Sequence, residues 1–553
     1  MPSPRARRSL LYRLLAVAAL LVFFALALST AGAKAITTDE PLHLARSIAM
    51  RQTGTLALAD KHAPLVYRLA GLLLRTQDGL PSMTALATWE AGSPYDVAQE
   101  LVARTGWPLD RAIRLGRVAV VLLGVVLGAL LAAWTRALTG HLPATGVVLA
   151  LYALSPNLLA AAALLTTDMA TTVTLFAAVV AWWRYWRRPG RGRWLAAAVA
   201  LGLALAAKLT GALLLPLTLL LGYVAAPSPR RLRPALVWLA TLPVAELTLW
   251  ALYGIAWDGR PMPGYWQAWR LLLTAAEAGH ANFFLGQVME TGSWLYLPVT
   301  LLLKTPPLSL ALLLLAPLAL WRGRRAADWR AVAFLVLPAA LLLAATAASR
   351  LNYGYRYALP AVPFLMVLGG LAVPWLWSRA AARAGLLLAL ALTAVVALRT
   401  HPDHLAYFNL LARGRGHDLL GDSNLDWGQD ANRLGEYARA YEAQTGRRLR
   451  FSYSGAVSPA HYGLGGVSLV EQFRAGQTDF APANPPAGRY GLNVADLQGT
   501  GLRLGLLTEI DLFDWFRRRQ PLTTLGGSIF VYDVAAPAEG TWVAHCATPG
   551  RLL

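Results

Sequence analysis

Long apolar runs recur along this chain, and they constrain its fold more than any other feature. Many are about 18 residues or longer, the length with which a helix crosses the hydrocarbon core of a bilayer. Of the 553 residues, 56% are hydrophobic and only 14% are charged, whereas soluble domains carry about 25% charged residues. We therefore predict a polytopic α-helical membrane protein with about eleven spans, near residues 10–30, 115–136, 142–164, 168–186, 194–207, 210–226, 235–256, 294–320, 331–348, 356–377 and 384–399.

The formal net charge of +21 could indicate a nucleic-acid partner. Its distribution indicates membrane topology instead, because nineteen arginines lie on one predicted side and only one acid, Asp328, accompanies them. The positive-inside rule places that side in the cytoplasm. We expect a membrane protein with a cytoplasmic N-terminus, an outer C-terminal domain and no nucleic-acid partner. The arginines are Arg5, Arg7, Arg8, Arg13, Arg136, Arg184, Arg187, Arg188, Arg191, Arg193, Arg230, Arg231, Arg233, Arg322, Arg324, Arg325, Arg330, Arg379 and Arg383.

This topology predicts two domains: a membrane domain over residues 1–400 and an extracytoplasmic α/β domain over residues 401–553. In the first outer loop, 31–114, helical spacing at 39–52, 63–76 and 94–105 predicts helices too short to span, which would lie on the membrane surface. A cleavable signal peptide is the alternative for the N-terminal run. That run, from Leu10 to Leu28, is longer than a usual signal core, which favours a retained helix.

The tail from residue 400 has more glycine, aspartate and polar residues than the rest of the chain. Strand-like segments at 419–422, 448–454 and 528–534 and a helical pattern over 430–445 predict a small α/β domain, for which a Rossmann-like form is one option. No GxGxxG or Walker sequence is present, so we assign this domain no nucleotide. The single cysteine, Cys546, excludes an intramolecular disulfide within the chain.

Carboxylates near the predicted outer surface are the first candidates for chemistry. Asp39 and Glu40 follow the first apolar run by about ten residues, and Asp168 begins another run. Acids at helix N-termini also act simply as caps or favourable charges, which is the alternative for all three. With Asp39 and Glu40, His62 could complete a divalent-metal site, but the spacing does not demonstrate one, and an ordinary surface histidine is the alternative.

Cations within apolar surroundings are the second group of candidates. Charges at bilayer depth are costly and usually face a cavity or a partner, although long side chains can also reach the interface. Arginine forks bind phosphate through two hydrogen bonds, and the arginines here alternate with tyrosines that could instead form an interfacial aromatic belt. Together with the carboxylates they predict a substrate with a long lipid and a phosphate. The group comprises Lys208, Lys304, Arg350, Tyr353, Arg356 and Tyr357.

Several short motifs recur in the order and on the predicted side that one family uses. These motifs are AspGlu at 39–40, HisAlaProLeu at 62–65, ThrThrAsp at 166–168, LysLeuThr at 208–210, GlySerTrpLeuTyrLeuPro…LysThrPro at 292–306, ArgTyrAlaLeuPro at 356–360, TyrPheAsn at 407–409 and AspSerAsnLeuAspTrpGlyGlnAsp at 422–430. Through them the chain resembles the GT-C glycosyltransferases, specifically bacterial relatives of protein O-mannosyltransferases and aminoarabinose transferases that use polyprenyl-phosphate sugars.

The resemblance implies inverting transfer of one hexose or pentose from a polyprenyl-phosphate donor to a lipid, glycan or protein hydroxyl of the cell envelope. It also implies that Asp39 is the catalytic base, helped by Glu40. The family's HisProPro motif reads HisAlaPro here, which weakens the assignment of His62. A polyprenyl-lipid flippase or transporter is the alternative function, and a non-catalytic partner of an envelope complex is a third.

Overall fold

The computed structural model describes residues 4–54, 56, 58, 62–226, 232–253, 263–278, 280–322, 328–349, 351–476, 480–500 and 511–536. The chain divides into two compact units. The first comprises Met1–Ala33, Asp39–His280 and Thr291–Gly414. The second comprises Lys34–Thr38, Ala281–Glu290 and Arg415–Leu553. The short segment Lys34–Thr38 therefore belongs to the second unit although it precedes most of the first.

The first unit is built from helices over its described residues. Helices α1 to α18 are, in chain order, Pro4–Ala33, Glu40–Thr53, Leu65–Leu73, Pro94–Ala103, Leu109–Thr139, Leu142–Ala153, Pro156–Ala162, Asp168–Arg187, Arg191–Ala207, Leu214–Ala225, Arg233–Tyr253, Pro263–Ala278, Tyr296–Lys304, Pro307–Arg322, Trp329–Ala348, Val362–Gly370, Val373–Trp377 and Ala380–Arg399. Short 3₁₀ turns connect several of them, including Leu74–Thr76, Met83–Ala85, Leu209–Leu213, Tyr355–Tyr357, Leu359–Ala361, His404–Ala406 and Leu410–Ala412.

Six of the described helical stretches are long and apolar enough to cross a membrane. They are α1 from Leu10, α5, α11, α15, the stretch Leu359–Trp377 and α18. The number rises to eight if each of two bent pairs counts as one span: α6 with α7, bent by 59°, and α13 with α14, bent by 112°. The helices α8 to α10 cover the other predicted runs without meeting these criteria, so the count of eleven spans stays a prediction.

The sharp bend between α13 and α14 has a local cause. Pro306 disfavours helical geometry at Thr305, which is extended with φ −76° and ψ 134°. The carbonyls at the end of α13 then need other donors. Asn409 supplies them: its backbone N–H donates to Leu303 O at 2.9 Å, and its side-chain amide donates to Leu302 O at 2.6 Å and Thr305 O at 2.8 Å. The TyrPheAsn motif at 407–409 therefore caps this helix end.

The three short helices predicted within 31–114 are confirmed as α2, α3 and α4. Ser93 and Asp96 form a reciprocal capping box that begins α4. Elsewhere in this unit small residues allow close helix packing: a Cβ on Gly202 of α9 would lie 2.4 Å from Ala245 O of α11. Such close approach is a common way for membrane helices to associate.

The second unit contains an α/β region. Its strands are β1 Asn282–Phe284, β2 Gln287–Met289, β3 Arg450–Phe451, β4 Gly488–Asn493, β5 Thr523–Leu525 and β6 Ile529–Val534, and its helices are α19 Ala431–Thr445, α20 Leu469–Arg474, α21 Val494–Leu497 and α22 Asp514–Arg517. The predicted helix at 430–445 and the strands within 448–454 and 528–534 are confirmed as α19, β3 and β6. Leu434, Phe451 and Ile529 belong to its hydrophobic core.

Two details of the tail prediction were wrong. Among the residues that the structure describes, the sheet order is β3-β4-β6-β5 and only β3 and β4 pair in parallel, so this sheet is not a Rossmann-like parallel sheet. The segment 419–422 is not a strand, because it lies between the 3₁₀ turns Gly416–Asp418 and Asp422–Asn424 and makes only an isolated bridge from Leu420 to Phe284. Apolar residues beside a glycine gave the strand-like pattern there.

The motif at 422–430 binds the segment Lys34–Thr38 within the second unit. Lys34 Nζ donates to Asp430 Oδ1 at 2.6 Å, and both side chains are buried. Ala35 N donates to Gln429 O at 3.0 Å, and Thr38 N donates to Trp427 O at 3.1 Å. Residues 34–38 are thereby fixed immediately before Asp39 in the sequence.

Candidate functional site

Asp39 lies directly before the first residue of α2, and Pro41 helps this helix to begin because its fixed φ suits the first turn. The Asp39 side chain is 36% exposed, and its Oδ2 accepts a hydrogen bond from Arg356 Nη1 at 2.9 Å. Arg356 comes from the 3₁₀ turn Tyr355–Tyr357 and is 17% exposed. The predicted base and a predicted phosphate ligand are therefore an ion pair that solvent can reach.

A second ion pair joins Asp168 to Lys208. Asp168 is the first residue of α8, and Lys208 follows the end of α9 in an extended conformation. Lys208 Nζ donates to Asp168 Oδ1 at 2.8 Å, with side-chain exposures of 21% for the lysine and 6% for the aspartate. The end of one helix and the start of another thus position opposite charges at a half-buried site.

Aromatic rings connect these two pairs. The rings of Tyr353 and Tyr357 stack at 5.2 Å, and the ring of His280 stacks on Tyr353 at 4.2 Å. Lys208 Nζ lies 4.6 Å from the centre of the Tyr357 ring, and the Arg356 guanidinium lies 5.7 Å from the same ring. Gly354, with φ +93°, provides the left-handed turn within this segment.

The structure therefore brings together five of the predicted site residues: Asp39, Asp168, Lys208, Arg356 and Tyr357. The two cations and the two carboxylates balance each other in charge. Such a group can bind a phosphate through its cations and accept a proton through a carboxylate. Tyr353 extends the group through its stacked ring.

Glu40 has surroundings quite unlike those of Asp39. Its side chain is fully buried and accepts hydrogen bonds from Arg117 Nε at 2.7 Å and Arg117 Nη2 at 2.5 Å. Leu165 N also donates to Glu40 at 2.8 Å, and Arg117 Nη1 donates to Ala31 O at 2.6 Å. This carboxylate therefore links α2 to α5, to the end of α1 and to the turn before α8.

His43, one turn along α2 from Asp39, is a neighbour that the sequence analysis missed. Its ring Nδ1 lies 3.1 Å from Tyr67 Oη, and its ring contacts that of His62 edge to face at 5.6 Å. Burial lowers the pKa of His43 to about 4, and the Arg46 guanidinium acts in the same direction. His43 is therefore a neutral imidazole at neutral pH.

The metal site considered for Asp39, Glu40 and His62 does not form in the part of the chain that the structure describes. No group of three or more His, Cys, Asp or Glu side chains there could hold a metal ion. Glu40 has its carboxylate turned to Arg117, and His62 packs beside His43. The three side chains thus serve separate contacts.

Lys304 is nearly closed to solvent, at 1% exposure. Its ammonium donates to Leu405 O at 2.7 Å and lies 4.7 Å from the centre of the Phe408 ring. In this structure it therefore supports the same 405–409 segment that caps α13. Arg350, the remaining predicted phosphate ligand, lies outside the described residues.

Arg117 is the other residue that the sequence analysis missed. The signal was available, because Arg117 is a charge near the start of the apolar run predicted at 115–136, where a charge needs a partner. The partner, Glu40, is 77 residues away and could not be identified from one sequence. His43 carried no comparable signal, since a histidine on an amphipathic helix is common.

Comparison with known proteins supports the family resemblance over part of the chain. A family model described as dolichyl-phosphate-mannose-protein mannosyltransferase matches residues 109–253. This range includes Arg117, Asp168 and Lys208, whereas Asp39 and Arg356 lie outside it. No curated protein matches the chain.

Two solved structures match along most of the length of the chain. The crystal structure of ArnT from Cupriavidus metallidurans in the apo state has 15% identity and a TM-score of 0.46, and the match covers 96% of this chain and 98% of that one. The structure of the same protein bound to undecaprenyl phosphate has 15% identity, a TM-score of 0.45 and coverage of 94% and 97%. The family model confirms the resemblance to mannosyltransferases of the GT-C class over residues 109–253.

Proposed function

We propose that this chain is a membrane glycosyltransferase that moves one sugar from a polyprenyl-phosphate donor to a hydroxyl of an envelope acceptor. The observation that carries the proposal is the solvent-accessible Asp39–Arg356 pair beside the Asp168–Lys208 pair. A base, two cations and stacked tyrosines are the groups that a phosphate-linked sugar requires. The family match over residues 109–253 supports the same class of reaction.

In this proposal Arg356 and Lys208 bind the donor phosphate. Arginine can contact phosphate through two parallel hydrogen bonds, and lysine adds a point charge. Their positive charges stabilise the negative charge that develops on the phosphate as its bond to the sugar breaks. Tyr353 and Tyr357 offer rings near these cations, against which the sugar can pack.

Asp39 then acts as the general base. It removes the proton of the acceptor hydroxyl while the acceptor oxygen forms a bond to the anomeric carbon of the sugar. The bond from that carbon to the phosphate oxygen breaks, and polyprenyl phosphate leaves with both bonding electrons. Attack opposite the leaving group inverts the anomeric centre. Glu40, fully buried against Arg117, supports the helix that carries Asp39 and takes no part in this proton transfer.

The proposed setting is a bacterial inner membrane with the site at its outer face. Residues 1–400 would form the catalytic membrane domain, with 31–114 as its first outer loop, and residues 401–553 would form an extracytoplasmic domain. The arginine distribution supports this orientation. The donor sugar and the acceptor, whether lipid, glycan or protein, are the parts left to experiment.

Transfer by the purified chain is the decisive measurement. We expect the wild-type protein to release polyprenyl phosphate from a polyprenyl-phosphate hexose or pentose in the presence of envelope acceptors. Asp39→Asn should lower the transfer rate by about 10²- to 10⁴-fold, the usual contribution of a general base. Asp328→Asn is the matched control, because Asp328 is similarly exposed, at 39%, and pairs with Arg187.

Three outcomes would contradict the proposal. Undiminished transfer by the Asp39→Asn protein would exclude Asp39 as the base. Movement of intact lipid-linked sugar across vesicles without transfer would favour the flippase or transporter. If the purified chain is inactive alone but active with other envelope proteins, a non-catalytic role in a complex is favoured. Mass spectrometry of envelope glycans, lipids and proteins from a deletion strain would then identify the acceptor that lacks one sugar.

A further inference from the structure

The cations proposed to bind the donor phosphate already have carboxylate partners. Arg356 Nη1 lies 2.9 Å from Asp39, and Lys208 Nζ lies 2.8 Å from Asp168. Lys208 and Arg356 are also near enough to influence each other electrostatically. A phosphate that approaches this group therefore meets cations whose charge is balanced, and it must share them with the carboxylates or displace those carboxylates.

The Asp39–Arg356 pair is the one better suited to exchange. Its carboxylate is 36% exposed, whereas that of the Asp168–Lys208 pair is only 6% exposed. Ion pairs that water can reach contribute little net free energy, so separating this pair has a small cost. The donor phosphate is a diester with two non-ester oxygens, as many as a carboxylate, and it forms strong charge-assisted bonds with a guanidinium.

Exchange at Arg356 would also change what Asp39 contacts. While the pair is intact, Asp39 Oδ2 accepts a hydrogen bond from Arg356 Nη1 at 2.9 Å. A phosphate that takes over the guanidinium leaves this oxygen available to accept a hydrogen bond from the acceptor hydroxyl. Arrival of the donor would therefore expose the carboxylate oxygen at the stage when the acceptor hydroxyl needs to lose its proton.

We infer that Arg356 is shared between Asp39 and the donor phosphate. Arg356 forms an ion pair with Asp39 in the resting protein, and the phosphate then replaces Asp39 as the partner of the guanidinium. This inference rests on the proposed function. Arg356 is then a positioning residue for the base in the resting protein and a phosphate ligand in the donor complex. The exposed pair works as an exchange site because one guanidinium serves two anions in turn.

The test is a double-mutant cycle on binding of polyprenyl monophosphate to the full-length protein in detergent micelles. Asp39→Asn removes the competitor, so binding should tighten by about fivefold, consistent with the free energy of an accessible ion pair. Arg356→Gln should weaken binding. In the Arg356→Gln background the Asp39→Asn change should have no further effect, because the shared cation is already absent.

Controls separate exchange from simple repulsion between Asp39 and the phosphate. Repulsion alone would let Asp39→Asn tighten binding equally with and without Arg356, and that result would overturn the inference. An unchanged affinity in the Asp39→Asn protein would overturn it as well. Asp328→Asn, which removes a similarly exposed carboxylate from the pair with Arg187, should leave the affinity unchanged.

A second background keeps the test decisive if the Arg356→Gln protein binds too weakly to measure. Arg356→Lys retains the charge but contacts phosphate through one point. In this background the gain in phosphate affinity caused by Asp39→Asn should be smaller. A gain as large as in the wild-type background would overturn the inference. The binding cycle needs no sugar transfer. If the wild-type protein never transfers a sugar but the cycle behaves as expected, the proposed function fails while the sharing of Arg356 stands.

Discussion

Two neighbouring carboxylates of the first unit have opposite surroundings. The Asp39 side chain is 36% exposed and forms an ion pair with Arg356 at 2.9 Å. Glu40, the next residue, is fully buried and accepts two hydrogen bonds from Arg117 and one from Leu165 N. The region around Asp39 is open to a ligand, whereas the region around Glu40 is closed by three segments of the chain.

The difference shows how an acidic pair can divide two tasks. A buried, multiply bonded carboxylate cannot meet a substrate without breaking its support, so Glu40 serves the architecture. An accessible carboxylate with a partner that can be replaced suits chemistry, so Asp39 is the candidate base. The family resemblance implied a catalytic role for Asp39 with help from Glu40, and adjacency in the chain carries no information about burial.

The largest expected change in stability follows from breaking the buried pair. Arg117→Met leaves Glu40 buried without its cation, which should lower the free energy of unfolding by about 3–5 kcal/mol. Thermal unfolding in detergent would measure this as a lower midpoint. The double variant Glu40→Met/Arg117→Met should recover much of the loss, because no buried charge remains. If the Arg117→Met and Arg356→Met proteins lost the same free energy of unfolding, the contrast between the surroundings of Glu40 and those of Asp39 would not hold.

The second unit extends the comparison to buried carboxylates whose hydrogen bonds come from neutral donors. Asp426 accepts from Gly428 N and Ala495 N, and Asp496 accepts from Ser454 Oγ. Burial raises the pKa of Asp426 and the pKa of Asp496 to about 6. In the folded state these groups keep protons that the unfolded chain releases between about pH 4 and pH 6.

These two groups should therefore contribute stability that is fully present below about pH 4 and is lost as the pH rises through about 6. Asp496→Asn replaces the charge by a neutral group of the same shape. It should raise the unfolding free energy at pH 8 by an amount on the order of 2–3 kcal/mol and change it little at pH 4. Unfolding midpoints at the two pH values measure the effect. A gain of equal size at both values would contradict it.

The smallest expected change concerns the accessible pair. Arg356→Gln should change the free energy of unfolding by at most about 1 kcal/mol, because a pair that water reaches contributes little to stability. The unfolding midpoints of the Arg356→Gln and Arg117→Met proteins, measured under the same conditions, provide the comparison. A loss as large as that of Arg117→Met would mean that Arg356 is structural, and the division between the two carboxylates would need revision.

Much of the helical pattern was predictable from the sequence, because long apolar runs and helical spacing are local properties. The short helices α2 to α4 and the tail helix α19 match their predictions closely. The break of the run at 294–320 into α13 and α14, bent by 112°, was not predicted, although LysThrPro was visible within that run. The Asn409 contacts that cap the bend come from about a hundred residues away.

Prediction of the site was uneven for a similar reason. Asp39, Asp168, Lys208, Arg356 and the tyrosines were selected because charges and rings in apolar surroundings need an explanation, and the structure groups them. Lys304 was selected on the same ground, but its ammonium contacts Leu405 O and the Phe408 ring. Residue type indicates that a buried cation needs a partner; it does not indicate which partner.

The sequence by itself predicted a helical membrane protein and a family resemblance, since apolar runs, arginine distribution and the order of short motifs are written along the chain. Tertiary structure alone decided which charges meet. Asp39 pairs with a residue 317 positions away, and Glu40 pairs with one 77 positions away. Burial and pairing depend on how distant segments fold against each other, and they separate two adjacent acids into a candidate base and a structural support.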